Sequence, residues 1–512
     1  MRLNNVGEVD FILTMKTQSG LSLYSHLAHT GLMKRVLNAT RVAALIGEFD
    51  RTPAYLGVAH GLRDLIIDGR IPIGIRLPSE RELTEALGVS RTTVARAYAL
   101  LRELGFLESR QGSGSIAVLP QSDTLRGDHL LRPVDGGEAG EDVIDLTCAA
   151  PSPGPGLLSA YERAAVELVP YLGGTGYYPS GLPILRELVA ASFANRGVPT
   201  TGDQILIVPG ALAGLAVAAR ALLSVGDRVV VESPTYPNAI AALTEAGARV
   251  VGVDTAAGGW DPATMAATIR QVSPRLAYLV PDFHNPTGAL IDDAAREAVG
   301  HELARGRTTA VIDESMLDVD LDGGPMPRPL AAYAADSITL GSMSKGYWGG
   351  LRVGWIRAPR DRMDALIGAR LSLDLGTPVF EQLVAIELLQ ASAETLAHRR
   401  TTLRAARDAT LEALATHLPD WRVARPRGGL SLWCELPEAG ASALAREAAR
   451  HGVLLTPGPA FAPEGGMDRY LRVPYALPTD TMTEAVARIA SAWRATLDLP
   501  KGITTPRPTL VA

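Results

Sequence analysis

Short apolar runs alternate with longer stretches of helical periodicity between residue 144 and about residue 497. The runs with strand character are Gln204–Val208, Arg228–Glu232, Arg249–Val253, Leu276–Val280, Thr308–Ile312, Ile338–Leu340 and Val353–Ile356. Segments rich in alanine and leucine, such as Leu212–Leu223 and Asp292–Ala304, separate several of them. Strands that alternate with helices in this way predict an α/β fold, with a mainly parallel sheet covered by helices on both faces.

A second pattern follows residue 380, where a long helical stretch leads to two further strand-like runs. These runs are Arg422–Ala424 and Leu430–Glu435, and an amphipathic helix over Met482–Leu497 comes after them. A small α+β subdomain is therefore expected beside the main sheet. We place the whole body at residues 144–500 and treat residues 501–512, which are rich in proline and threonine, as a tail.

Residues 55–118 show a more compact pattern of three helices. The apolar stripe of the first helix consists of Val58, Leu62, Leu65 and Ile66. Ser79 and Glu82 have the spacing of a capping box, which starts a second helix that ends at Gly88. Ser90 is placed to cap a third helix. Two helices joined by a short turn that contains glycine match a helix-turn-helix.

The third helix and the segment after it predict contact with DNA. Its inward positions are Val94, Leu101 and either Ala97 or Tyr98. Outward positions near its N-terminus are basic or hydroxylated, and in a helix-turn-helix this end of the second helix reaches base edges. Residues 106–110 and 115–118 alternate in polarity around a Gln-Gly-Ser-Gly turn, which predicts the hairpin of a wing.

This segment resembles the GntR-type winged helix through Leu77-Pro-Ser-Glu-Arg81 and Leu87-Gly-Val-Ser-Arg-Thr-Thr-Val94. The resemblance implies contact with double-stranded operator DNA by Arg81, Arg91, Thr92, Thr93, Arg96, Gly112 and Gly114. A winged helix that makes only protein contacts is the alternative. Residues 55–118 contain eight arginines and no lysine against seven acidic residues, so their excess of +1 supplies little nonspecific attraction to phosphates.

Two regions show no periodic pattern of their own. Residues 1–54 are treated as an N-terminal extension without predicted structure, in which Met33 is an alternative start. Residues 119–143 are polar and lack an apolar period, which predicts a linker between the head at 55–118 and the body.

Composition narrows the class of protein. A chain of 512 residues with 47% apolar residues is long enough for two or three domains. No run approaches the length of a membrane span, and residues 1–30 lack the pattern of a secretory signal. A cytoplasmic protein without membrane contact is therefore expected. Cys148 and Cys434 form no disulfide or metal pattern, so no metal site is predicted. The net charge of −6 argues against nonspecific coating of nucleic acid but permits a local basic face.

The strongest chemical signal follows the predicted strand Ile338–Leu340. There Ser342 and Ser344 precede Lys345, and a glycine-rich loop leads on to Arg352. A lysine directly after a buried strand is partly desolvated, which lowers the pKa of its amine and makes it a candidate nucleophile toward a carbonyl. The two hydroxyls and the arginine suit a phosphate group. Ser-x-Ser-Lys followed by Gly-Leu-Arg-x-Gly resembles the pyridoxal-phosphate lysine segment of the fold-type I aminotransferases.

That resemblance implies further contacts to pyridoxal 5′-phosphate. Backbone N–H groups at Gly210, Ala211 and Leu212 would hold the phosphate at a helix N-terminus. Tyr236 is implied to stack on the cofactor ring, and Asn285, in an Asn-Pro-Thr-Gly segment, is implied to donate to the phenolic oxygen. Asp313 is implied to pair with the pyridine nitrogen and so to keep it protonated.

Three positions bear on the effector and on turnover. Arg472 resembles the arginine that clamps a substrate α-carboxylate, and a structural ion pair is its alternative role. Tyr177 or Tyr178 is implied to donate to the phosphate of a partner subunit. Met316 departs from the family pattern, which commonly has a tyrosine three residues after the aspartate. This departure weakens the expectation of efficient transamination but leaves cofactor binding expected.

A GntR-like head joined to an aminotransferase-like body is the architecture of the MocR-type regulators, which the chain resembles from about residue 55 to residue 497. The resemblance implies a homodimeric transcription regulator that binds pyridoxal phosphate and senses the cofactor, an amino-acid or amine effector, or both. A catalytically active aminotransferase with a DNA-binding head is the main alternative, and multiple turnover distinguishes it. A body without cofactor is a further alternative, disfavoured because Lys345, Asp313, Asn285 and Arg352 are all present.

Overall fold

The computed structural model describes residues 38–67, 71, 75–110, 114–118, 142–255 and 259–498. The head contains four helices and a two-stranded hairpin: α1 (Ala39–Ile46), α2 (Ala54–Ile67), α3 (Glu80–Leu87), α4 (Arg91–Glu103), β1 (Leu107–Arg110) and β2 (Gly114–Ala117). The strands of the hairpin are antiparallel. This arrangement confirms the predicted helix-turn-helix and wing.

Local hydrogen bonds set the ends of the two helices of the helix-turn-helix. The Ser79 hydroxyl accepts the Glu82 N–H at 3.3 Å, and the Glu82 carboxylate accepts the Ser79 N–H at 2.8 Å. α3 ends at Gly88, whose φ of +63° is the left-handed conformation that glycine adopts without strain. Ser90 then accepts the Thr93 N–H at 3.1 Å and starts α4. The predicted capping box and both caps are confirmed.

Helix α1 lies inside the region for which no structure was predicted. Val42 is fully buried in the apolar core of the head. A Cβ added to Gly61 of α2 would lie 3.0 Å from the Ile46 side chain, so this glycine permits close packing of α1 on α2. The prediction of an unstructured extension is therefore wrong for residues 39–46, because eight residues give only two turns of periodicity. The rest of that extension up to residue 37, Gly112 of the wing, residues 119–141 of the linker and the tail at 501–512 lie outside the described residues.

The large part of the body alternates strands and helices, as predicted. In chain order its elements are β3 (Ile144–Asp145), α5 (Leu157–Glu167), α6 (Pro183–Asn195), β4 (Ile205–Val208), α7 (Ala211–Leu222), β5 (Arg228–Ser233), α8 (Pro237–Glu245), β6 (Arg249–Asp254), α9 (Pro262–Val272), β7 (Leu276–Leu279), α10 (Asp293–Arg305), β8 (Thr309–Asp313), β9 (Ile338–Ser342), β10 (Gly354–Arg357) and α11 (Arg360–Leu371).

Seven of these strands form one sheet in the order β4-β10-β9-β8-β7-β5-β6. β10 is antiparallel to both of its neighbours, and the other pairings are parallel. Every residue of β4, β7, β8 and β9 is buried, and apolar clusters cover both faces. This burial explains why the strands were visible in the sequence as continuous apolar runs.

Helix α12 (Val379–Gln390) packs against α5 and α6 in the apolar core of the large part. The elements after it form the predicted small subdomain, namely α13 (Ser392–His417), β11 (Arg422–Val423), β12 (Ser431–Glu435), α14 (Ala441–Arg450), β13 (Val453–Leu454), β14 (Thr456–Pro457), β15 (Tyr470–Pro474) and α15 (Thr479–Asp498). A four-stranded sheet has the order β11-β12-β15-β14, and β13 pairs with β3. Helices α13, α14 and α15 contribute to the apolar core beside this sheet. The pairing of β3 joins the first strand of the body to this late subdomain.

Candidate functional site

A cavity of about 560 Å³ lies at the carboxyl ends of the central parallel strands, where open α/β sheets bind their ligands. It brings together every predicted cofactor and effector residue except Tyr177, namely Gly210, Ala211, Leu212, Tyr236, Asn285, Asp313, Ser342, Ser344, Lys345, Arg352 and Arg472. Met316 also lines it. Residues that are up to 262 positions apart in the chain therefore share one small volume.

Lys345 comes three residues after the end of β9, and its amine reaches into the cavity. Nζ donates a hydrogen bond to the Ala149 carbonyl at 2.8 Å. Burial lowers the pKa of this amine, because a charged ammonium is poorly solvated there. The neutral, nucleophilic form therefore persists to lower pH than in a solvated lysine, as the sequence predicted.

Asp313 ends β8, and its carboxylate is held on both oxygens. Oδ2 accepts the Tyr278 hydroxyl at 2.7 Å, while Oδ1 accepts the Ser315 N–H at 2.8 Å and the Ser315 hydroxyl. Burial, followed by the neighbouring Asp313 charge, raises the pKa of Tyr278 well above its usual value. The phenol therefore stays protonated and remains a donor, which fixes a negative charge and its direction at the edge of the cavity.

The turn between β4 and α7 forms a cradle for an anion. Gly210 has a φ of +94°, and no side chain caps the N-terminus of α7, so its first N–H groups are available. A Cβ at Gly210 would lie 2.9 Å from Arg352 Nη2, which leaves no room for a larger residue. Arg352 donates to the Pro209 carbonyl at 2.7 Å, and Ser342 and Ser344 lie beside it, with their hydroxyls 3.0 Å apart.

Arg472 projects from β15 of the small subdomain into the same cavity. It donates to the Thr147 carbonyl, and its Nη1 lies 3.5 Å from Asn285 Oδ1. The guanidinium carbon is 5.0 Å from the centre of the Phe461 ring. Burial lowers the pKa of Arg472 to about 10. No carboxylate among the described residues pairs with it, and its Nε has no hydrogen-bond partner within those ranges. A structural ion pair, its alternative role, is thus not what the cavity contains.

These groups together fit pyridoxal phosphate. The fit rests on a desolvated amine, a fixed carboxylate, an uncapped helix N-terminus with hydroxyls and a guanidinium, and an aromatic side chain at Tyr236. Burial raises the pKa of Tyr236 to about 12, so this ring stays uncharged. When bound, the cofactor supplies an aldehyde and an electron-withdrawing ring; the residues of this chain supply binding, orientation and charge.

Some of the lining residues were not predicted, namely Thr147, Cys148, Ala149, Ala150, Asn238, Tyr278, Val280, Ser315 and Gly349. Tyr278 could have been found from its position in a strand with no exposed residue, because a buried phenol hydroxyl needs a hydrogen-bond partner. The segment 147–150 carried no local signal, because it meets Lys345 and Arg472 only through the fold.

Tyr177 does not line the cavity of its own chain. Its side chain is 64% exposed. Tyr178 is partly buried and packs edge-on against Tyr171, with ring centres 5.9 Å apart. These observations assign no role to either tyrosine. The exposed side chain of Tyr177 is accessible for contact with a second subunit.

The predicted DNA-binding residues of α4 lie on its exposed N-terminal half. Arg91 and Thr92 are exposed, whereas Thr93 is half-buried and its hydroxyl lies 2.8 Å from Ser90 Oγ. The Arg96 guanidinium stacks 4.1 Å from the centre of the Tyr55 ring. The Thr92 hydroxyl likewise lies 2.7 Å from Ser90 Oγ. Arg91 is therefore the residue of α4 freest to reach bases, while Thr93 also serves the cap and Arg96 is held by an aromatic face.

The other two described candidates flank α4. Arg81 is 84% exposed and forms an ion pair with Glu85 at 3.3 Å, an exposed contact that a phosphate can replace at little cost. Gly114 opens β2 with a φ of +76°, and a Cβ there would lie 2.7 Å from the Arg76 guanidinium. The first residue of β2 is thus a glycine next to a basic side chain.

No helix in the described ranges is both long and apolar enough to cross a membrane. Within the same ranges, no three or more His, Cys, Asp or Glu residues cluster so as to hold a metal ion.

Family models match both parts of the chain. The model described as "Aminotransferase class I and II" matches residues 173–489, and the model described as "Bacterial regulatory proteins, gntR family" matches residues 54–116. The fold and the cavity define the body as an aminotransferase-like domain of fold type I, joined to a winged-helix head.

Relatives agree with this combination. The HTH-type transcriptional regulator YdfD of Bacillus subtilis is 26% identical over 83% of this chain and 93% of its own. The regulator TauR of Rhodobacter capsulatus is 27% identical over 85% and 96%. The 2-aminoadipate transaminase of Thermus thermophilus is 32% identical over 66% and 84%. A crystal structure of LysN, an α-aminoadipate aminotransferase from Thermus thermophilus bound to N-(5′-phosphopyridoxyl)-L-leucine, matches 72% of this chain and 96% of its own at 29% identity, with a TM-score of 0.64.

The chain belongs to the aminotransferase class I and II family and carries a GntR-family DNA-binding domain before it, which is the organisation of the MocR-type regulators. Aminotransferases of this family depend on pyridoxal phosphate, and the cavity fits that cofactor.

Replacing Tyr278 with phenylalanine tests whether the cavity depends on the orientation of Asp313. The Asp313 carboxylate would lose the donor on Oδ2, so we expect the dissociation constant for pyridoxal phosphate to rise roughly tenfold, the value of one hydrogen bond to a charged group. Absorbance titration measures this constant. Tyr161→Phe is the control, because that hydroxyl bonds Glu381 outside the cavity lining. Equal affinities for wild type and Tyr278→Phe would contradict this role.

Proposed function

We propose that this chain is a transcriptional regulator in which an amino acid or amine, bound at the pyridoxal-phosphate cavity, changes how the head binds its operator. One observation carries the proposal. A desolvated amine, a fixed carboxylate and a buried guanidinium face one cavity, in a chain that also has a helix-turn-helix head. No carboxylate in the described ranges pairs with this guanidinium.

Each cavity residue has a proposed role that follows from its contacts. Lys345 binds the cofactor covalently and, when displaced by an effector amine, holds or moves a proton at Nζ. Asp313 holds the pyridine nitrogen in its protonated form. Asn285 has its amide oxygen near Arg472, which leaves its Nδ2 to donate to the phenolic oxygen. Arg472 receives the effector carboxylate in two parallel charge-assisted hydrogen bonds.

The effector can shift DNA binding only through different affinities for two arrangements of the protein. Arg472 is carried by the small subdomain, and Lys345 by the large one. An effector that bridges both would favour the arrangement in which the two subdomains are closest. The linker then transmits this change in the body to the positions of the two heads on DNA.

A homodimer is proposed from an exposed apolar surface. Leu158, Val166, Val169 and Leu172, in α5 and the turn after it, are each between 65% and 74% exposed. Monomers rarely leave such contiguous apolar patches in water. A two-fold dimer would cover them, present two heads to repeated half-sites, and let the exposed Tyr177 reach the partner's cavity.

A working aminotransferase is the second candidate. It is favoured by the completeness of the cavity and by the 32% identity to a transaminase. Met316, buried at the cavity where the family commonly has a tyrosine, weighs against efficient turnover. Release of a keto acid over many cycles in the presence of an amino acceptor would establish this activity.

Cofactor capture is tested at Lys345, which is the only lysine between residues 35 and 500. Wild-type protein given pyridoxal phosphate should absorb visible light, and borohydride should fix the cofactor mass on the peptide that contains Lys345. Lys345→Ala should lose both signals, while Lys501→Ala, at a lysine of the tail, should keep them. A wild-type protein that stays colourless with added cofactor would refute the proposal.

Sequence recognition by the head is tested at Arg91. If Arg91 reads a guanine, Arg91→Ala should weaken operator binding by about 1–3 kcal/mol and relax the preference at one base. Random-site selection followed by anisotropy titration measures both effects. Arg102→Ala is the matched control, because Arg102 lies in the last turn of the same helix. Absence of any sequence preference in the wild type would show that the head is not an operator reader.

Dimerisation is tested by placing charge in the apolar surface. Val169→Asp together with Leu172→Asp should convert the sedimenting species to a monomer, because two charges cannot be buried there without partners. Val225→Asp serves as control, since Val225 is an isolated apolar side chain that is 90% exposed. A double variant that still sediments as a dimer would place the interface elsewhere.

The effector clamp is tested with Arg472→Ala. Loss of a bidentate charged pair should cost roughly 2–4 kcal/mol of amino-acid affinity. The variant should keep the absorbance of the bound cofactor and its basal DNA affinity, yet lose the spectral response to the best amino acid from a screen. Equal responses would refute the clamp, and loss of cofactor colour would make Arg472 a structural residue.

A further inference from the structure

Four arginines lie in a row at the amino ends of the central strands, the opposite edge of the sheet from the cofactor cavity. Arg228 begins β5, Arg249 begins β6, Arg275 directly precedes β7, and Arg307 lies two residues before β8. The spatial order β8-β7-β5-β6 places them on consecutive strands, so this arginine row is about 14 Å long at the usual strand spacing. It lines a cleft of about 370 Å³.

Backbone pairing holds the row together. Arg228 and Arg249 are register partners on neighbouring strands, and the Arg275 N–H donates to the Arg228 carbonyl at 2.8 Å. Like charges that face each other across two strands destabilise a sheet. The strand pairing nevertheless holds these positive charges close together, despite their mutual repulsion.

The arginines of the row are not paired with carboxylates among the described residues. All four side chains are exposed. Asp227 is the acidic residue of the cleft lining, and its Oδ2 accepts the Ser224 N–H at 2.8 Å. Nearby Arg270 and Arg305, by contrast, both pair with Glu302.

Stabilisation of helix ends accounts for one of the four arginines. Helices α7, α9 and α10 end at this edge, and basic side chains are favourable near helix C-termini without any ligand. Arg275 Nε donates to the Leu222 carbonyl at the end of α7, at 3.3 Å. The side chains of Arg228, Arg249 and Arg307 donate no hydrogen bond within the part of the chain that the structure describes. They remain available to an external anion.

DNA bound by the head is a polyanion that comes close to the body of this chain. The head carries an excess charge of only +1 over residues 55–118, although phosphate contacts supply most nonspecific affinity for DNA. A row of about 14 Å matches the axial length of roughly four base pairs of B-DNA, at 3.4 Å of rise per base pair. Residues 119–141 separate head from body, and a chain of that length reaches at most about 80 Å. DNA held by the head is thus at high effective concentration for the body.

We propose that the arginine row is a second DNA contact, which binds the sugar–phosphate backbone flanking the sequence that the head reads. This inference rests on the proposed DNA-binding function of the head. It assigns to the body a direct share in DNA affinity that is independent of base sequence, at a site distinct from the cofactor cavity.

The test compares full-length wild type with the double variant Arg228→Ala/Arg249→Ala on the duplex enriched by random-site selection, set in fragments of about 30 and about 90 base pairs. On the long fragment the variant should bind on the order of tenfold more weakly, and the slope of log affinity against log salt should fall by about 2, near 0.9 for each lost phosphate contact. On the short fragment, which lacks flanks, the two proteins should bind alike.

The control is Arg422→Ala/Arg494→Ala, which removes the same charge from exposed positions in the small subdomain. Equal salt slopes for wild type and the cleft variant on the long fragment would overturn the proposal. Stoichiometric binding of inorganic triphosphate that requires Arg228 and Arg249, with DNA affinity unchanged, would also overturn it and make the cleft a site for a small phosphate ligand. If selection enriches no duplex, the head does not recognise a DNA sequence. The contribution of the arginine row to DNA affinity is then measured with random-sequence fragments of both lengths.

Discussion

Burial of charge at the carboxyl edge of an apolar sheet is the constraint on which this structure depends. β7, β8 and β9 have no exposed residue, and they place Tyr278, Asp313 and Lys345 in one cavity. Ionised groups are costly in such a place unless they are hydrogen-bonded or neutral. Asp313 is therefore held by donors on both oxygens, and the pKa of Lys345 is lowered. A ligand with a phosphate, a ring nitrogen and an aldehyde matches these requirements.

The two edges of the same sheet present different chemistry. At the carboxyl edge, the desolvated amine of Lys345 and the guanidinium of Arg472, which belong to different subdomains, line the same cavity. At the amino edge, Arg228 and Arg249 are exposed and form no ion pair with a carboxylate of the described part of the chain. One rigid sheet thus connects an effector site with a surface suited to a polyanion, and the head adds the sequence reader. In this arrangement, effector binding and DNA binding can each shift the conformational equilibrium of the same body.

Much of this organisation could be predicted from the sequence because it is local. Continuous apolar runs gave the strands, Ser79 and Glu82 gave a helix start, and Lys345 after a strand gave the reactive amine. Tyr278 was missed because its role arises from a contact with Asp313, which is distant in sequence. Helix α1 was missed because its eight residues give only two turns of periodicity. Short elements that are stabilised by packing alone leave little periodic signal.

The central claim is that the cavity and the head share one equilibrium, and thermodynamic linkage gives its most direct test. A ligand that changes DNA affinity by a given factor must have its own affinity changed by the same factor when DNA is bound. The measurement is a spectral titration of the cofactor-loaded full-length protein with its preferred amino acid, with and without saturating operator duplex. The account predicts that DNA shifts the amino-acid dissociation constant by the factor found for the reverse experiment, on the order of 5- to 150-fold. An identical amino-acid dissociation constant with and without DNA would contradict it.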